Sequence, residues 1–345
     1  MSLREQIETI VNRYDGQSGY PFTGAVSVLD GTGEAFEKGY GYANRSDKIG
    51  NGPDTRFGIA SGCKIFTAVA ICQLVERGAL TFDTLLKDCV DEKFPLFDPS
   101  IRIHHLLCHT SGVPDYFDEE TMDDFSALWK EVPNYSIRTV QDFLPLFQHR
   151  PMTFAPGEKF SYCNSGYILL GLVVEQVSGI SFQSYVEKYI VEVCGMRDSG
   201  YFPLDRLPER TALGYIESDA GWRVNWYDLP IVGGPDGGAY TTVQDMDLFW
   251  EALLNHRLLS RDMTETMLAS KAQSDESIHY GYGVWIVVRE GAIFKYFVMG
   301  GDPGVAMRSS VYVKSRARAH VISNNGSGTW EIAMGIEKQL IGLND

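Results

Sequence analysis

A serine and a lysine one helical turn apart are the first candidates for chemistry. The tetrapeptide SGCK places Ser61 and Lys64 at positions i and i+3, at the start of a predicted helix over Ser61–Arg77 that stops at Gly78. A lysine amine takes the proton of a serine hydroxyl when burial disfavours its charge, and the apolar residues that follow predict such burial. The helix N-terminus also offers backbone N–H groups to an oxyanion. The pair predicts a nucleophile and its base.

A second interpretation makes Ser61 an ordinary helix cap. An S-x-x-K pattern arises by chance roughly once in a chain of this length, and serine is a favoured N-cap. A capping box, however, has Glu or Gln at the third helical position, whereas Lys64 there opposes the helix dipole. Because a locally unfavourable residue often marks a functional site, this detail adds weight to the catalytic interpretation, and both interpretations stay open.

A tyrosine and an asparagine form the second candidate pair. Tyr162 and Asn164 alternate, so in an extended segment both side chains face one side. A tyrosine beside a lysine can shuttle a proton, and an asparagine amide can orient an acyl group. The alternative is structural, because Asn164 can cap a helix over Ser165–Val177 and Tyr162 can belong to the core.

Two glycines follow a predicted strand over Ile293–Met299. Gly300 and Gly301 would allow a substrate to approach the strand edge closely, and the Gly301 N–H could be a second oxyanion donor. Read alone, the segment Val298–Gly304 can also be an ordinary β-turn, and the sequence leaves both interpretations open.

Three histidines at positions 104, 105 and 109, with Cys108 among them, raise the question of a metal site. His105 and His109 have the i, i+4 spacing of metal ligands on a helix. The glutamate of an H-E-x-x-H motif and an obvious third ligand are both missing. A helix end stopped by Gly112 explains the segment as well, so no metal and no cofactor is expected.

Both chain ends carry strand patterns, and the middle is mostly helical. Strands are predicted over Thr23–Asp30, Glu34–Ala43, Tyr282–Arg289, Ile293–Met299, Ser309–Lys314 and Ala319–Ser323. Further helices are predicted over Phe182–Val193, Val243–Asn255 behind a Thr242-x-x-Asp245 capping box, and Thr329–Ile341. Since strands and helices do not alternate, Rossmann and TIM folds are disfavoured. We expect an α+β fold, with one antiparallel sheet formed from both chain ends, flanking helices and an inserted helical lobe.

The length of 345 residues suits one large catalytic domain with two lobes. We expect an α/β lobe over about 1–80 and 275–345, and a mostly helical lobe over about 81–274. No internal repeat and no low-complexity linker divides the chain further.

Charge and cysteine usage restrict the partners and the location. The chain has 30 basic and 45 acidic residues, a net charge of −15, which disfavours nucleic acids and anionic membrane surfaces as partners. No run of about 18 apolar residues predicts a transmembrane segment, and the N-terminus lacks the apolar region of a secretory signal. The six cysteines show no C-x-x-C spacing and are interpreted as free thiols. We expect a cytoplasmic protein whose partner is a small-molecule or peptide ester or amide.

Longer segments resemble the serine β-lactamase-like family, which comprises penicillin-binding proteins, D,D-peptidases, class C β-lactamases and related esterases. The resemblance runs in that family's order from about Phe57 to Gly304. Besides SGCK and YCN, the similar segments are LLCHTSGVPDY (106–116), PGEKFSYCNSGYILLGLVVEQVSG (156–179), GGAYTTVQDM (237–246) and YGYGVW (280–285). The family's fold is the sheet with a helical lobe that the strand and helix patterns predict.

The resemblance implies a role for each candidate residue. Ser61 would be the acylated nucleophile and Lys64 its base. Tyr162 would share proton transfer and protonate the leaving group. Asn164 would bind the substrate amide, and the N–H groups of Ser61 and Gly301 would form the oxyanion hole.

One segment departs from the family pattern. The family usually has Lys or His, then Ser or Thr, then Gly on this strand, whereas this chain has Val298, Met299 and Gly300. The cation and the hydroxyl that commonly hold a substrate carboxylate are absent, and Asp302 adds a negative charge. This departure argues against β-lactam hydrolysis and D-Ala-D-Ala carboxypeptidation.

Three functions are compatible with these residues. The leading hypothesis is a serine hydrolase that acts on an ester or amide bond through an acyl-enzyme. The second is a conventional β-lactamase or D-Ala-D-Ala carboxypeptidase. The third is a catalytically weak penicillin-binding or sensor protein, which the Val298-Met299 substitution favours and the intact set of candidate catalytic residues opposes.

Overall fold

An eight-stranded antiparallel sheet is the centre of the protein. The structure, a computed structural model, describes residues 1–17, 20–122 and 124–341. The described residues form fourteen strands, of which eight belong to this sheet and six to three two-stranded sheets. They are β1 Gly24–Leu29, β2 Ala35–Tyr40, β3 Tyr42–Asn44, β4 Ile49–Gly50, β5 Phe57–Gly58, β6 Tyr215–Ser218, β7 Gly221–Val224, β8 Tyr240–Thr241, β9 Ala272–Gln273, β10 Ile278–Tyr280, β11 Trp285–Arg289, β12 Ala292–Asp302, β13 Val305–Tyr312 and β14 Arg318–Ser323.

Nine α-helices are found in the described parts of the chain. They are α1 Leu3–Gln17, α2 Lys64–Glu76, α3 Ile103–Leu107, α4 Asn164–Ser178, α5 Phe182–Val186, α6 Glu192–Cys194, α7 Val243–Leu254, α8 Arg261–Leu268 and α9 Thr329–Ile341. Shorter 3₁₀ helices span Ala60–Cys63, Leu86–Asp88, Phe125–Lys130, Asn134–Ser136 and Val140–Leu146.

The main sheet joins the two ends of the chain. Its strand order is β2-β1-β14-β13-β12-β11-β10-β9. The C-terminal strand β14 lies between β1 and β13, with Gly24 opposite Ser323 and Leu29 opposite Arg318. β1 and β14 are both rich in β-branched and apolar residues, which suits their central, buried position in the sheet. The prediction of an α+β fold with an antiparallel sheet from both chain ends is confirmed.

Helices cover both faces of this sheet. On one face, α1 and α9 bury apolar residues such as Ile7 and Ile336 against Val26 and its neighbours on the sheet. On the other side, α2 is buried along its whole stretch from Lys64 to Leu74 and packs against α4, α5 and α8. A helix that is apolar all round has no face for solvent, so the sequence of α2 fits this interior position.

Two predicted elements are interrupted. The expected strand over Glu34–Ala43 breaks at Gly41, whose φ of 64° favours glycine, and β3 then pairs with β4 outside the main sheet. The predicted helix over Phe182–Val193 contains a π turn at Glu187–Val191. Apolar spacing does not reveal such a turn, because the buried face shifts by only one residue.

The strand that carries the two candidate glycines is longer than its apolar pattern predicts. β12 continues past Met299 to Asp302, and the tight turn lies at Pro303-Gly304. Gly300 and Gly301 therefore belong to the strand, and the β-turn expected within Val298–Gly304 is formed by its last two residues. Other strand ends also differ, since β11 begins at Trp285 and β13 spans Val305–Tyr312.

The predicted capping box before α7 is only half formed. The Thr242 hydroxyl accepts a hydrogen bond from the Asp245 N–H at 3.0 Å. The Asp245 carboxylate does not return to Thr242, because it accepts bonds from the Asp198 N–H at 2.8 Å and the Ser199 hydroxyl at 2.7 Å. Tertiary contacts have replaced the local one.

The division into lobes near residues 80 and 275 stays a prediction. Within the described residues, no single helix has the length and apolar composition to cross a membrane. One bent pair, Asn164–Ser178 with Phe182–Cys194 at 76°, meets that test by length and composition only.

Candidate active site

The candidate nucleophile lies in a tight 3₁₀ turn just before α2. This turn, Ala60–Cys63, directly precedes the first residue of the α-helix, Lys64. Ala60 has a φ of 45°, in the left-handed region that a residue with a side chain rarely adopts. Its carbonyl accepts a hydrogen bond from the Gly238 N–H at 3.3 Å. Such local strain is held by its surroundings and is common at functional sites.

The Lys64 amine is buried and touches three oxygen atoms. Its Nζ lies 2.8 Å from Ser61 Oγ, 2.7 Å from Asn164 Oδ1 and 2.7 Å from the Asp236 carbonyl oxygen. Only 2% of the residue is exposed. The i, i+3 prediction for Ser61 and Lys64 is therefore realised as direct contact.

The chemistry of these three oxygens orients the amine. The Asn164 and Asp236 oxygens are carbonyls, which can only accept hydrogen bonds. A neutral amine has two N–H bonds and one lone pair, so donating to both carbonyls leaves the lone pair facing Ser61 Oγ. That hydroxyl is the single neighbour of the three that can donate a proton. An ammonium that donates to all three oxygens satisfies the same contacts, and either form holds Nζ within proton-transfer distance of Ser61 Oγ.

Asn164 is held from the opposite direction by Asp115 and by backbone. Its Nδ2 donates to Asp115 Oδ2 at 3.2 Å and to the Phe117 carbonyl at 3.1 Å, which fixes Oδ1 toward Lys64. Asp115 also accepts the N–H groups of Asn164 at 2.8 Å and Ser165 at 2.9 Å. The cap of α4 is Cys163, so the alternative interpretation of Asn164 as the helix cap is wrong.

The Asp115 carboxyl has an unusual environment. Burial raises its pKa to about 6, and the backbone hydrogen bonds from Asn164 and Ser165 oppose this rise. Sequence reasoning assigned no role to Asp115. It lies inside the LLCHTSGVPDY segment, but an aspartate between proline and tyrosine has no spacing that predicts a partner 49 residues away.

Tyr162 lies beside the lysine with its ring packed among aromatic residues. Lys64 Nζ lies 4.9 Å from the Tyr162 ring centroid. The ring packs on His109 at 4.4 Å between centroids and stacks on Trp285 at 6.0 Å. Burial raises the pKa of the Tyr162 phenol well above its usual range, and a side-chain hydrogen bond with Ser61 opposes this rise. A phenol of this kind keeps its proton at neutral pH and can donate it.

His109 packs against this tyrosine. The helix predicted to carry it ends earlier, at Leu107, and His109 has a left-handed φ of 58°. Its Nδ1 accepts the Cys163 N–H at 3.0 Å. In the parts of the chain that the structure describes, no group of three or more His, Cys, Asp or Glu side chains could hold a metal ion.

The glycine strand approaches the nucleophile turn very closely. A Cβ atom on Gly300 would lie 2.2 Å from the Ile59 carbonyl oxygen and 2.8 Å from the Ser61 nitrogen. A Cβ on Gly301 would meet no atom of the described residues within 4 Å. Gly300 is therefore required for backbone packing, whereas Gly301 borders open space.

The edge of β12 is open at this point. β11 pairs with β12 as far as Phe297, while β13 pairs with it along Lys295 to Asp302. Within the described residues, no strand pairs with Val298–Asp302 on the side away from β13. A substrate backbone can approach this free edge next to Ser61.

The two departing residues lie on the same strand. Val298 is buried, and Met299 is partly exposed. Arg308, a candidate to replace the missing cation, donates from Nη1 to Met299 Sδ at 3.8 Å. Its guanidinium lies 4.0 Å from the Trp330 ring centroid and 4.5 Å from the Phe297 centroid. Its side chain is thus occupied by aromatic rings outside the cavity described next.

A cavity of about 510 Å³ opens beside the nucleophile. Ser61, Asn164 and Gly301 are part of its wall. Four acidic residues also line it, namely Glu119, Asp124, Asp236 and Asp302. Six aromatic residues complete much of the wall, namely Tyr116, Phe117, Phe125, Phe143, Phe202 and Tyr240.

Two of these carboxyl groups, those of Asp302 and Asp236, have raised pKa values. Burial raises the pKa of Asp302 to about 8, and the nearby Asp236 adds to this rise. Burial also raises the pKa of Asp236, whose carboxylate accepts the Tyr116 hydroxyl at 2.5 Å. Sequence reasoning identified Asp302 only as added charge and did not find Asp236, because a lone aspartate in a glycine-rich loop has no periodic signal.

Comparison with known proteins connects this arrangement to a family. The family model described as Beta-lactamase matches residues 10–321. Penicillin-binding protein 4* of Bacillus subtilis (strain 168) is 29% identical over 331 residues, which cover 90% of this chain and 70% of that protein. The chain spans between about half and 70% of the length of the first curated relatives that it matches.

Solved structures show the same similarity. The crystal structure of a penicillin binding protein from Bacillus halodurans has a TM-score of 0.92 and 50% identity, covering 96% of this chain and 99% of that one. A D-amino acid amidase from Ochrobactrum anthropi SV3 has a TM-score of 0.81 at 21% identity, with 99% of each chain covered, and shares the fold. With the family match spanning most of its length, the chain belongs to the Beta-lactamase family.

Proposed function

We propose that the protein is a serine hydrolase that cleaves an ester or amide bond through an acyl-enzyme. The observation that carries the proposal is the 2.8 Å contact between Lys64 Nζ and Ser61 Oγ, where the other two partners of the amine are carbonyl oxygens. Such a contact sets up proton transfer from the serine hydroxyl as it attacks. Membership of the Beta-lactamase family supports the same chemistry.

The mechanism moves one proton around the site. Ser61 Oγ attacks the carbonyl carbon while its proton passes to Lys64 Nζ. The negative charge on the carbonyl oxygen is stabilised by the N–H groups of Ser61 and Gly301. When the bond to the leaving group breaks, Tyr162 gives it a proton and is reprotonated by Lys64. Water then attacks the acyl-serine ester and gives its proton to the same lysine. Lys64 returns this proton to Ser61 Oγ as the bond to the serine breaks and the acid is released.

Asn164 acts first as a positioning residue in this proposal. Its carbonyl oxygen holds Lys64, and both N–H bonds of its amide are directed to Asp115 and the Phe117 carbonyl. The expected hydrogen bond from Asn164 to a substrate amide stays a prediction, and it requires that one of these contacts be exchanged.

Covalent labelling tests the nucleophile. We expect a fluorophosphonate to add one label per chain, detected by intact-mass spectrometry, and we expect Ser61→Ala to abolish it. Turnover of simple esters should fall by several orders of magnitude in the variant, as it does when other nucleophiles are removed. Labelling that survives in the folded Ser61→Ala variant would show that another residue is the nucleophile.

A penicillin-binding or β-lactamase activity is the second candidate, favoured by the names of the relatives at 29% and 50% identity. We expect penicillins to acylate the protein slowly, because Val298 and Met299 offer no partner to a carboxylate whose desolvation costs several kcal/mol. The double variant Val298→His with Met299→Thr should accelerate acylation by benzylpenicillin, measured by intact mass. Rapid penicillin hydrolysis by the unmodified protein would contradict this expectation and favour a β-lactamase activity over the ester or amide hydrolase.

The cytoplasm remains our proposed location. All six cysteines are unpaired in the structure, which suits a reducing compartment. Fractionation of the source cells with an antibody against the protein tests this proposal, and recovery in an extracellular fraction would refute it.

A further inference from the structure

The cavity beside the nucleophile is lined by acidic side chains and by no basic ones among the described residues. Four carboxyl groups line it, and the described residues of its wall include no Lys, Arg or His. Lys64 is close by, but its amine is directed to Ser61 Oγ and two carbonyl oxygens. A substrate group that enters this cavity therefore meets acidic side chains without a basic one.

The four carboxyl groups differ in whether the protein already satisfies them. Asp236 accepts the Tyr116 hydroxyl. Asp124 accepts the Ala127 N–H at 3.2 Å and has an ion pair with Lys130 at 3.6 Å.

The other two have much weaker contacts. Among the described residues, Glu119 has one hydrogen-bond contact, from Asn164 Nδ2 at 3.5 Å. The side chain of Asp302 accepts no hydrogen bond from the described residues. It also follows Gly301, the proposed oxyanion donor, by one position. Asp302 is therefore the acidic group best placed to interact with a substrate at the reacting centre.

The aromatic wall strengthens the preference for positive charge. The face of an aromatic ring attracts a cation, and several rings together with a carboxylate form a common binding environment for substituted ammonium groups. Six aromatic residues line this cavity. A carboxylate-bearing group gains nothing from these rings and is repelled by the acids.

The position of the cavity indicates which part of the substrate it receives. Its wall includes Asn164 and Gly301 but neither Tyr162 nor Val298. Since Tyr162 is the proposed donor to the leaving group, the leaving group lies on the side away from the cavity. The acyl part of the substrate then extends into it.

We propose that this cavity selects substrates whose acyl group carries a positive charge of the ammonium type, with Asp302 as the specificity-determining residue. The inference rests on the proposed acyl-enzyme function and adds the substrate class to it. Glu119 contributes a second acidic group to the same wall.

A matched pair of esters tests the charge preference. Phenyl 4-(trimethylammonio)butanoate and phenyl 5,5-dimethylhexanoate have the same shape and differ in one positive charge. We expect kcat/KM of the unmodified protein at pH 9, where Asp302 is mostly deprotonated, to be about tenfold or more higher for the cationic ester. A close opposite charge at reduced dielectric is worth at least that factor. Asp302→Asn should lower the ratio toward one, whereas Glu265→Gln, which removes an exposed charge on α8, should preserve it.

The ratio should also depend on pH. The groups around Asp302 are Lys64, Tyr116, Glu119, Asp236 and Tyr240, and only the lysine can be cationic. Because the pKa of Asp302 is raised to about 8, its attracting, deprotonated form increases as pH rises through that value. The cationic-to-neutral ratio should therefore rise between about pH 7 and 9, and remain flat in Asp302→Asn. The quaternary ammonium itself does not titrate.

Each outcome separates this inference from the proposed function. Equal or better turnover of the neutral ester would refute the charge preference and leave the hydrolase proposal intact. A cationic preference retained by Asp302→Asn would refute the role of Asp302. If neither ester acylates Ser61, the proposed function fails, and calorimetric binding of the two intact esters then decides the charge preference independently. Tighter binding of the cationic ester supports it, and equal binding refutes it.

Discussion

At the scale of single residues, the site depends on how one amine is surrounded. Lys64 has three oxygen neighbours, of which only the Ser61 hydroxyl can give it a proton. The sequence predicted the contact between these two residues from their spacing on a helix. It could not predict the two carbonyl oxygens, because Asn164 and Asp236 are 100 and 172 positions away from the lysine.

Substitution of Lys64 by arginine tests whether the lysine accepts a proton or only contributes a positive charge. Lys64→Arg keeps a positive charge but cannot deprotonate under ordinary conditions. We expect it to reduce kcat/KM for a neutral ester nearly as much as Lys64→Ala does, with both variants checked for folding by thermal unfolding. Substantial activity of the folded arginine variant would mean that the lysine contributes charge or structure only.

At the scale of the elements, the site exists because β12 and the nucleophile turn touch through backbone. Gly300 makes this possible, since any Cβ there would collide with the Ile59 carbonyl oxygen. The free edge of β12 from Val298 onward then lies beside Ser61. The sequence suggested close approach at both glycines but assigned it to the substrate, whereas at Gly300 the neighbour is the protein itself.

The two glycines provide a matched pair of alanine variants. Gly300→Ala should destabilise the protein and disturb the nucleophile turn, because its Cβ would lie 2.2 Å from a backbone oxygen that cannot rotate away. Gly301→Ala should leave thermal stability nearly unchanged, since its Cβ would point into open space. The comparison of melting temperatures checks this, and equal loss of stability in both variants would contradict the packing described for β12.

Apolar periodicity predicts the main helices and strands but not the interruptions within them. The helix beginning near Ser61 and the strands at both chain ends were predicted because their apolar periodicity is strong. The break at Gly41 and the π turn at Glu187–Val191 were not, because one residue with positive φ and a one-residue shift of the buried face hardly change the apolar periodicity. Asp115 was missed for another reason, since its partners Asn164 and Ser165 begin a helix elsewhere in the chain.

At the scale of the whole molecule, the fold brings distant parts of the chain to one cavity. The nucleophile turn, the helix α4 and the strand β12 each contribute one part of the wall. In the sheet that contains β12, the N-terminal strand β1 pairs with the C-terminal strand β14. Overall composition predicted an acidic protein, but only the tertiary arrangement concentrates four carboxyl groups around the cavity beside Ser61.

The central claim is that an acyl group is transferred to Ser61 during turnover. The direct measurement is rapid quenching of the unmodified protein with a phenyl ester, followed by intact-mass and peptide mass spectrometry. We expect a transient mass increase equal to the acyl group, located on the peptide that contains Ser61, and its decay at the rate of acid release. Turnover without any acylated protein, or acylation of a different residue, would contradict the account.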